Sequence, residues 1–123
     1  MTGIVVVTVG AVVGSVARFV LDVTSRRRFG PGPSPGILLA NVLGSFLLGV
    51  LVGLMATRFV DDRWRLLVGV GFCGSFTTFS SFVVELADLV GGARGRMLVA
   101  WTAAAVIGGG VAASLGLALG RTW

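Results

Sequence analysis

The sequence contains no histidine, tyrosine or lysine, and its one cysteine, Cys73, lies within an apolar run. A disulfide within the chain is therefore excluded, as are metal sites built from histidine and cysteine and acid–base catalysis by histidine. Charge is also scarce, because only 12% of the 123 residues are charged, whereas about 25% is usual in soluble domains. The sequence shows no phosphate-binding loop and no nucleophile–base pair, so we do not expect an enzyme.

Uncharged residues are gathered into four long stretches, and hydrophobic residues make up 55% of the chain. The uncharged stretches are residues 1–17, 36–57, 66–84 and 97–120. Since a membrane-spanning helix needs about 20 predominantly apolar residues, they predict one all-α membrane domain with four transmembrane helices. This composition excludes a soluble globular domain, a disordered chain and a secreted disulfide scaffold. The predicted spans, within a single domain 1–123, are about 3–24, 36–57, 64–90 and 97–119.

The N-terminal apolar run is expected to be a retained span, because no basic segment or obvious cleavage site marks it as a signal peptide. Loops are expected at about 25–35, 58–63 and 91–96. The ten arginines cluster near span ends, which is typical of topology and headgroup anchors and not of a nucleic-acid surface, so no nucleic-acid partner is expected.

The arginines divide almost evenly between the two sides of the membrane. One side carries Arg58, Arg63, Arg65 and Arg121, and the other carries Arg26, Arg27, Arg28, Arg94 and Arg96. Orientation follows the excess of basic residues near span ends, and a split of four to five is almost no excess. The count favours insertion in both orientations and an antiparallel homodimer with its two-fold axis in the membrane plane. A single orientation set by another feature is the alternative.

Glycine is frequent, with 20 of 123 residues, and recurs at four-residue spacing on several spans. The pairs and triplets are Gly10 and Gly14, Gly36, Ala40 and Gly44, Gly49 and Gly53, and Gly116 and Gly120. Such spacing places small residues on one helix face, where backbones can approach closely. We expect these faces to favour an oligomer, with packing inside one chain as the alternative.

Polar residues within the first two spans are candidate functional groups, because polar groups are costly in a membrane. Arg18 either extends to the interface or forms a cation that attracts anions, with Asp22 one helical turn further on as its partner. Asn41, in the second span, either links helices or presents an amide donor to a pore.

The third span contains three glycines in residues 69–74, followed by five hydroxyl residues in residues 75–81. This composition predicts a break near mid-membrane whose freed carbonyls hold a cation such as Na⁺, with a kinked but continuous helix as the alternative. After the break, helical spacing puts Thr78, Ser81, Phe82 and Glu85 on one face, with Phe79 about 60° away. Ring edges and hydroxyl donors there are suited to a small anion, although plain packing is the commoner use of such phenylalanines.

Three motifs resemble the signatures of the Fluc (CrcB) fluoride channel family. GFCGSFTTFSSF at residues 71–82 resembles GFCGGxTTFSTF, GAVVGSVAR at 10–18 resembles GGxxGAxxR, and GILLANVLG at 36–44 resembles GTLxVNxxG. The order and spacing of the motifs agree, and the resemblance covers all four spans. The chain departs from these patterns at Ala11, Ser15, Ile37, Ala40, Ser75 and Ser81.

The resemblance implies a passive fluoride-selective channel, an antiparallel dual-topology homodimer in the inner membrane of a prokaryotic cell, which exports cytoplasmic fluoride and lowers its toxicity. It also implies a structural Na⁺ at the dimer interface, held by the backbone carbonyls of Gly74 and Thr77. The implied anion pathway consists of Arg18, Asn41, Thr78, Phe79, Ser80, Ser81, Phe82 and Glu85. Trp101 and Thr102 fall where fourth-span pathway residues would lie.

Two other functions are compatible with a small four-span chain. A dual-topology coupled exporter of cationic compounds needs an acidic residue deep in the core, and here the candidates Asp22 and Glu85 both lie near span ends. A non-transporting assembly subunit needs no helix break, so the concentrated glycine, hydroxyl and phenylalanine residues of the third span argue against it.

Overall fold

The computed structural model describes residues 2–123, which fold into helices joined by short connections. Four helices are long and apolar enough to cross a membrane, as the sequence predicts. The third span, Asp62–Gly91, consists of several consecutive segments. In chain order the elements are α1 (Thr2–Phe29), α2 (Pro35–Ala56), α3 (Asp62–Trp64), a π-helical segment (Arg65–Cys73), α4 (Gly74–Phe76), α5 (Phe79–Gly91) and α6 (Gly95–Gly120).

Helix α1 continues to Phe29, about one turn beyond the predicted end, so the three consecutive arginines belong to the helix and not to the loop. Arginine is a good helix former, and positive charge in the last turn interacts favourably with the helix dipole. The helix ends at Gly30, whose left-handed φ of 79° suits glycine and whose N–H donates to the carbonyl of Arg26 at 3.0 Å.

Helix α2 begins where the sequence provides both a cap and a proline. The Ser34 hydroxyl accepts from the N–H of Ile37 at 3.3 Å, and Pro35 occupies the first helical position. The Ser25 hydroxyl of α1 accepts from the N–H of Gly36 at 2.9 Å. This bond fixes the start of α2 against the last turns of α1.

The first part of the third span has the wider hydrogen bonding of a π-helix over nine residues, Arg65–Cys73. Nothing in the hydropathy pattern predicts these wider turns. They pack closely on α1, because a Cβ on Gly10 would overlap the carbonyl oxygen of Leu67. Ser75, which stands where the motif has glycine, is accommodated because Gly14 leaves room for its hydroxyl. That hydroxyl lies 2.8 Å from the carbonyl oxygen of Ala11 in α1.

The helix is interrupted between α4 and α5. Thr77 and Thr78 have extended backbones, with ψ of 154° at Thr77 and φ, ψ of −150° and 125° at Thr78. Threonine tolerates this conformation because its branched side chain favours extended backbone. The Thr78 hydroxyl then caps α5 by accepting from the N–H of Ser81 at 3.3 Å.

Helices α2 and α6 pack backbone to backbone through their glycines. A Cβ on Gly49 would overlap the carbonyl oxygen of Ala113, and one on Gly116 would overlap that of Phe46. Gly10 and Gly36 are likewise used inside the chain, against the π-helical segment and α1. These glycines therefore pack against other helices of the same subunit. The glycine spacing thus no longer supports the expectation of an oligomer.

The connections α1–α2 and α5–α6 lie at the same end of the bundle, because Pro31, Gly32, Gly92 and Arg94 line one cavity. That end carries five arginines and the opposite end four. The tertiary structure thus groups the arginines as the sequence analysis does.

Candidate functional site

Asn41 of α2 bridges the interruption in the third span. Its side-chain oxygen accepts from the N–H of Thr78 at 2.8 Å, and its amide nitrogen donates to the carbonyl of the same residue at 3.0 Å. The two backbone groups fix the orientation of the amide, since one must donate and the other must accept. Asn41 therefore links helices, and its second amide hydrogen is left over as a donor.

Hydroxyl groups form a short chain at the start of α5. The Thr78 hydroxyl lies 3.2 Å from that of Ser80 and donates to that of Ser81 at 3.3 Å. The hydroxyls of Ser75 and Thr77 behave differently, because each reaches back to the carbonyl four residues earlier, at 2.9 Å. The hydroxyls of Thr78, Ser80 and Ser81 thus interact with one another, whereas those of Ser75 and Thr77 donate to helix carbonyls.

Phe79 and Phe82, one turn apart on α5, have opposite environments within the subunit. The side chain of Phe82 is 8% exposed and belongs to the core, whereas Phe79 is 79% exposed. Their rings do not come together inside one chain. An exposed ring at the start of a helix that follows an interrupted segment leaves an apolar surface available to another molecule.

The carbonyl oxygens of Gly74 and Thr77 flank the interruption. Outside the helices, no backbone hydrogen bond within residues 2–123 ends on either oxygen. Residues 2–123 contain no group of acidic or cysteine side chains that could hold a metal ion. What the interruption offers a cation is backbone oxygen, a hard ligand type suited to Na⁺, so the residues present fit the expected ion.

An open cavity of about 340 Å³ lies beside the interruption. Its lining includes Asn41, Gly44, Gly74, Thr77, Thr78 and Phe79. The residues that carry the spare amide donor, the two carbonyls and the exposed ring therefore line one space. We call this space the central cavity.

Glu85, one turn beyond Phe82, is 5% exposed and accepts hydrogen bonds from three other elements. Its Oε1 accepts from the backbone N–H of Ser34 at 2.9 Å and lies 3.4 Å from a guanidinium nitrogen of Arg26. Its Oε2 accepts from the indole N–H of Trp101 at 3.3 Å. A buried carboxylate needs this degree of compensation, so the sequence-predicted Glu85 sits at the junction of α1, α2, α5 and α6.

A second cavity, of about 560 Å³, lies at the end of the bundle that carries five arginines. Its lining includes Asp22, Arg26, Ser81, Glu85, Asp88 and Arg94. We call it the charged vestibule. Thr78 borders the central cavity and Ser81 borders the vestibule, and the hydrogen bond between their hydroxyls links the linings of the two cavities.

The expected pairing of Arg18 with Asp22 is wrong. Asp22 instead accepts from Nε of Arg26 at 2.9 Å, because Arg26 lies one turn on and also faces Glu85. Nε of Arg18 is buried and has no hydrogen-bond partner within residues 2–123. Arg18 thus stays outside the Glu85 cluster as a partly buried cation.

Two members of the Glu85 cluster are absent from the sequence-based candidates. Arg26 is one of three consecutive arginines, and nothing in that run distinguishes the one that faces inward. Ser34 contributes its backbone N–H, which carries no side-chain signal at all. Trp101, a candidate by position only, proves to be a direct donor to the carboxylate.

These features define a four-span membrane protein with a polar site at an interrupted helix. The chain belongs to the CrcB family, because the family model described as "CrcB-like protein, Camphor Resistance (CrcB)" matches residues 5–117. The resemblance carried by the three motifs is thereby confirmed. The family is one of ion channels, and the expectation that the chain is not an enzyme is confirmed with it.

Curated relatives named "Fluoride-specific ion channel FluC" cover most or all of the chain. The protein of Phenylobacterium zucineum (strain HLK1) is 44% identical over 92 residues, which are 73% of this chain and 72% of the relative. That of Caulobacter sp. (strain K31) is 36% identical over 123 residues, covering 98% and 96%. That of Prosthecochloris aestuarii (strain DSM 271 / SK 413) is 34% identical over 123 residues, covering 99% and 95%.

Proposed function

We propose that the chain forms a passive fluoride-selective ion channel that exports cytoplasmic fluoride and so lowers its toxicity. The observation that carries the proposal is the hydroxyl link from Thr78 to Ser81, which links the linings of the central cavity and the charged vestibule. Anions that lose water need hydrogen-bond donors, and the hydroxyls of Thr78, Ser80 and Ser81 are the donors nearest to both cavities along this helix. The choice of fluoride as the transported ion rests on the relatives, which are named fluoride-specific ion channels.

The donors along this route bear no fixed positive charge. The Asn41 amide, the hydroxyls of Thr78, Ser80 and Ser81, and the positive edges of phenylalanine rings each interact weakly with an anion. Conduction requires such multiple weak sites, since a strongly held ion would not leave. Arg26 lines the charged vestibule but is paired with Asp22 and Glu85, so it favours entry of anions without trapping them. Arg18 adds a partly buried positive charge on α1.

The functional unit is an antiparallel dual-topology homodimer. Phe79, 79% exposed in one subunit, is covered by the second copy and thereby comes to line the anion path with Phe82. The near-equal division of arginines supports insertion of the chain in both orientations. The two copies then form an inverted repeat, an arrangement that places binding sites near the middle of the membrane.

The interruption at Thr77 and Thr78 lies at mid-membrane. The third span has 15 residues before it, 62–76, and 13 after it, 79–91. Backbone that is not helical at this depth is tolerated only when it is buried in protein or lines a cavity. The central cavity and the second subunit meet that condition.

A structural Na⁺ is held at the dimer interface by the carbonyls of Gly74 and Thr77 from both subunits. When bound, the ion neutralises the partial negative charge of these oxygens. Gly74 presents no side chain toward the central cavity, so its backbone is accessible there. Asn41 holds the Thr78 backbone and thereby keeps the Thr77 carbonyl in place.

The protein acts as a multi-pass protein of a prokaryotic inner membrane. Neutral HF crosses the membrane and dissociates inside the cell, where the pH is higher. A membrane potential that is negative inside then drives F⁻ out by about 2.3 kcal/mol per 100 mV, so no pump or nucleotide is required. Coupled export of cations is not favoured, because both candidate acids, Asp22 and Glu85, are paired with Arg26.

Efflux from liposomes tests the proposed function. Purified protein is reconstituted in KF- or KCl-loaded vesicles, and valinomycin is added to start electrogenic efflux. We expect F⁻ to leave and Cl⁻ to be retained. Equal rates for the two anions, or no F⁻ efflux from protein that elutes as an intact dimer, would overturn the proposal.

A further inference from the structure

A groove that is separate from the central cavity and from the charged vestibule runs between α1 and α2. It encloses about 530 Å³ and is lined on α1 by Leu21, Thr24 and Arg28, and on α2 by Pro35, Leu38 and Val42, among others. On each helix these positions recur at intervals of three and four residues, so they form one stripe along the axis. The stripe on α1 is about 10 Å long at 1.5 Å per residue, apolar at Leu21 and cationic at Arg28.

The cationic end of the groove lacks an acidic partner. Of the three consecutive arginines, only Arg26 pairs with acidic residues, and no salt bridge within residues 2–123 involves Arg28. Arg28 lies in the last turn of α1, and Pro35 begins α2 at the same end. In a protein whose helices span a membrane, these helix ends are at the level of the lipid headgroups.

The groove faces a different direction from the ion pathway. Val42 lines the groove and its neighbour Asn41 lines the central cavity, and successive residues of a helix point about 100° apart. A second subunit that covers Phe79 and the central cavity therefore leaves this side of α2 toward lipid.

We propose that this groove is a binding site for one anionic glycerophospholipid per subunit. An acyl chain lies along the apolar stripe from Leu21 to Leu38, and the phosphate is bound by the guanidinium of Arg28, with Thr24 as a hydroxyl donor. Guanidinium groups bind phosphate oxygens through paired N–H donors. A zwitterionic headgroup has the same phosphate, but its own cation offsets the attraction to Arg28, so an anionic headgroup is favoured. The proposal is independent of which ion the channel conducts.

Native mass spectrometry of the purified dimer in detergent tests this site. The protein is titrated with phosphatidylglycerol and, separately, with phosphatidylcholine of the same chain length. We expect up to two tightly bound phosphatidylglycerol molecules per dimer and weaker binding of phosphatidylcholine. Arg28→Gln should weaken phosphatidylglycerol binding about fivefold, and Arg28→Lys should retain most of it.

Arg27→Gln is the matched control, because Arg27 is adjacent, carries the same charge and does not line the groove. It should leave binding within about twofold of the wild type, since loss of one exposed charge elsewhere acts only through general attraction. Leu38→Trp, which fills the groove, should weaken the binding of both lipids. The arginine variants should keep wild-type elution, since Arg27 and Arg28 are exposed and neither makes an ion pair within residues 2–123.

Four results would overturn the proposal. One is equal binding of the two lipids to the wild type, and another is equal loss in the Arg27 and Arg28 variants. The third is a disulfide between two copies of Leu39→Cys under oxidation, which would show that a second chain occupies the groove. Displacement of the lipid by millimolar inorganic phosphate would assign the site to free phosphate instead, and would overturn it as well.

Discussion

At the scale of single residues, the side chains of the site differ in their hydrogen bonds and in their burial. Asn41 uses one amide hydrogen and its side-chain oxygen in hydrogen bonds to the Thr78 backbone, and its second amide hydrogen stays available. Glu85 is compensated by donors from three other elements. Phe79 and Phe82 differ sharply in burial, which separates the effects of substitution on stability from those on transport.

Replacement of Phe79 by Ile tests whether ring edges contact the anion. Because Phe79 is 79% exposed in the subunit, its loss should cost little folding energy within the chain. We expect fluoride efflux per dimer to fall at least about tenfold, which corresponds to roughly 1.4 kcal/mol at the barrier. Phe82→Ile should reduce efflux similarly and also destabilise the protein by about 1–2 kcal/mol, because Phe82 is buried.

Phe72→Ile is the control for these two variants. Phe72 stacks on Phe76, with ring centroids 5.0 Å apart, and lies before the interruption. Its replacement should lower stability while flux per folded dimer is preserved. Near-normal efflux from both the Phe79 and Phe82 variants would show that the rings only pack, and would move the anion path toward Asn41 and the hydroxyls.

Glu85→Gln tests the carboxylate cluster. The amide removes the negative charge opposite Arg26 and brings an NH₂ group toward the donors of Ser34 and Trp101. Since hydrogen bonds to charged groups contribute about 1.5–3 kcal/mol each, we expect a loss of about 2 kcal/mol in unfolding free energy. Asp88→Asn, one turn along the same helix and exposed, should change it by less than about 0.5 kcal/mol. Equal thermal unfolding of the two variants would contradict the cluster.

At the scale of elements, close backbone packing assembles the helices, and one interruption shapes the site. Glycines of α2 and α6 allow the two helices to meet without side chains between them. The π-helical segment packs on α1 in the same way through Gly10 and Gly71. The contacts of Gly10 and Gly71 hold the segment before Thr77 and Thr78, and Asn41 of α2 holds the Thr78 backbone directly.

Gly116→Ala tests the packing of α2 on α6. The added methyl would overlap the carbonyl oxygen of Phe46, so the two helices must move apart. We expect the free energy of unfolding to fall by about 1–3 kcal/mol. Gly110→Ala on the same helix is the control, because a Cβ there meets nothing within 4 Å. Alanine is the better helix former, so this variant should gain up to about 1 kcal/mol. Reversible unfolding in detergent compares them, and a similar loss from both would contradict the packing.

At the scale of the whole molecule, the near balance of charge bears on how the chain is inserted. Five arginines lie at one end of the bundle and four at the other, which gives little bias for either orientation. The exposed Phe79 and the open central cavity leave one side of the subunit incomplete. A second copy in the opposite orientation would complete that side.

Four lysines added beside Arg121 test dual topology. They change the count of basic residues from four against five to eight against five, an excess of three, which should bias insertion and reduce fluoride efflux from cells that express this variant alone. Co-expression of a copy with lysines at the other end should restore it. Labelling of single cysteines placed in the loops of the wild type reports orientation directly, and one accessible side only would refute the prediction.

The amino-acid sequence by itself determined the four spans, because hydropathy over about 20 residues depends only on the chain. It also determined the family, because the motifs at 10–18, 36–44 and 71–82 are local patterns. The interruption at Thr77 and Thr78 is prepared by local composition, since clustered hydroxyls compete with the helix backbone.

Only the tertiary structure decided which groups meet. Asn41 and Thr78 are 37 positions apart, and Ser34 and Glu85 are 51 apart, so no local pattern connects them. Asp22 can reach both Arg18 and Arg26 by helical spacing, and the position of Glu85 on another helix selects Arg26. Whether a small-residue face serves its own chain or a second copy depends on which backbone lies against it, and that contact exists only once the helices have packed.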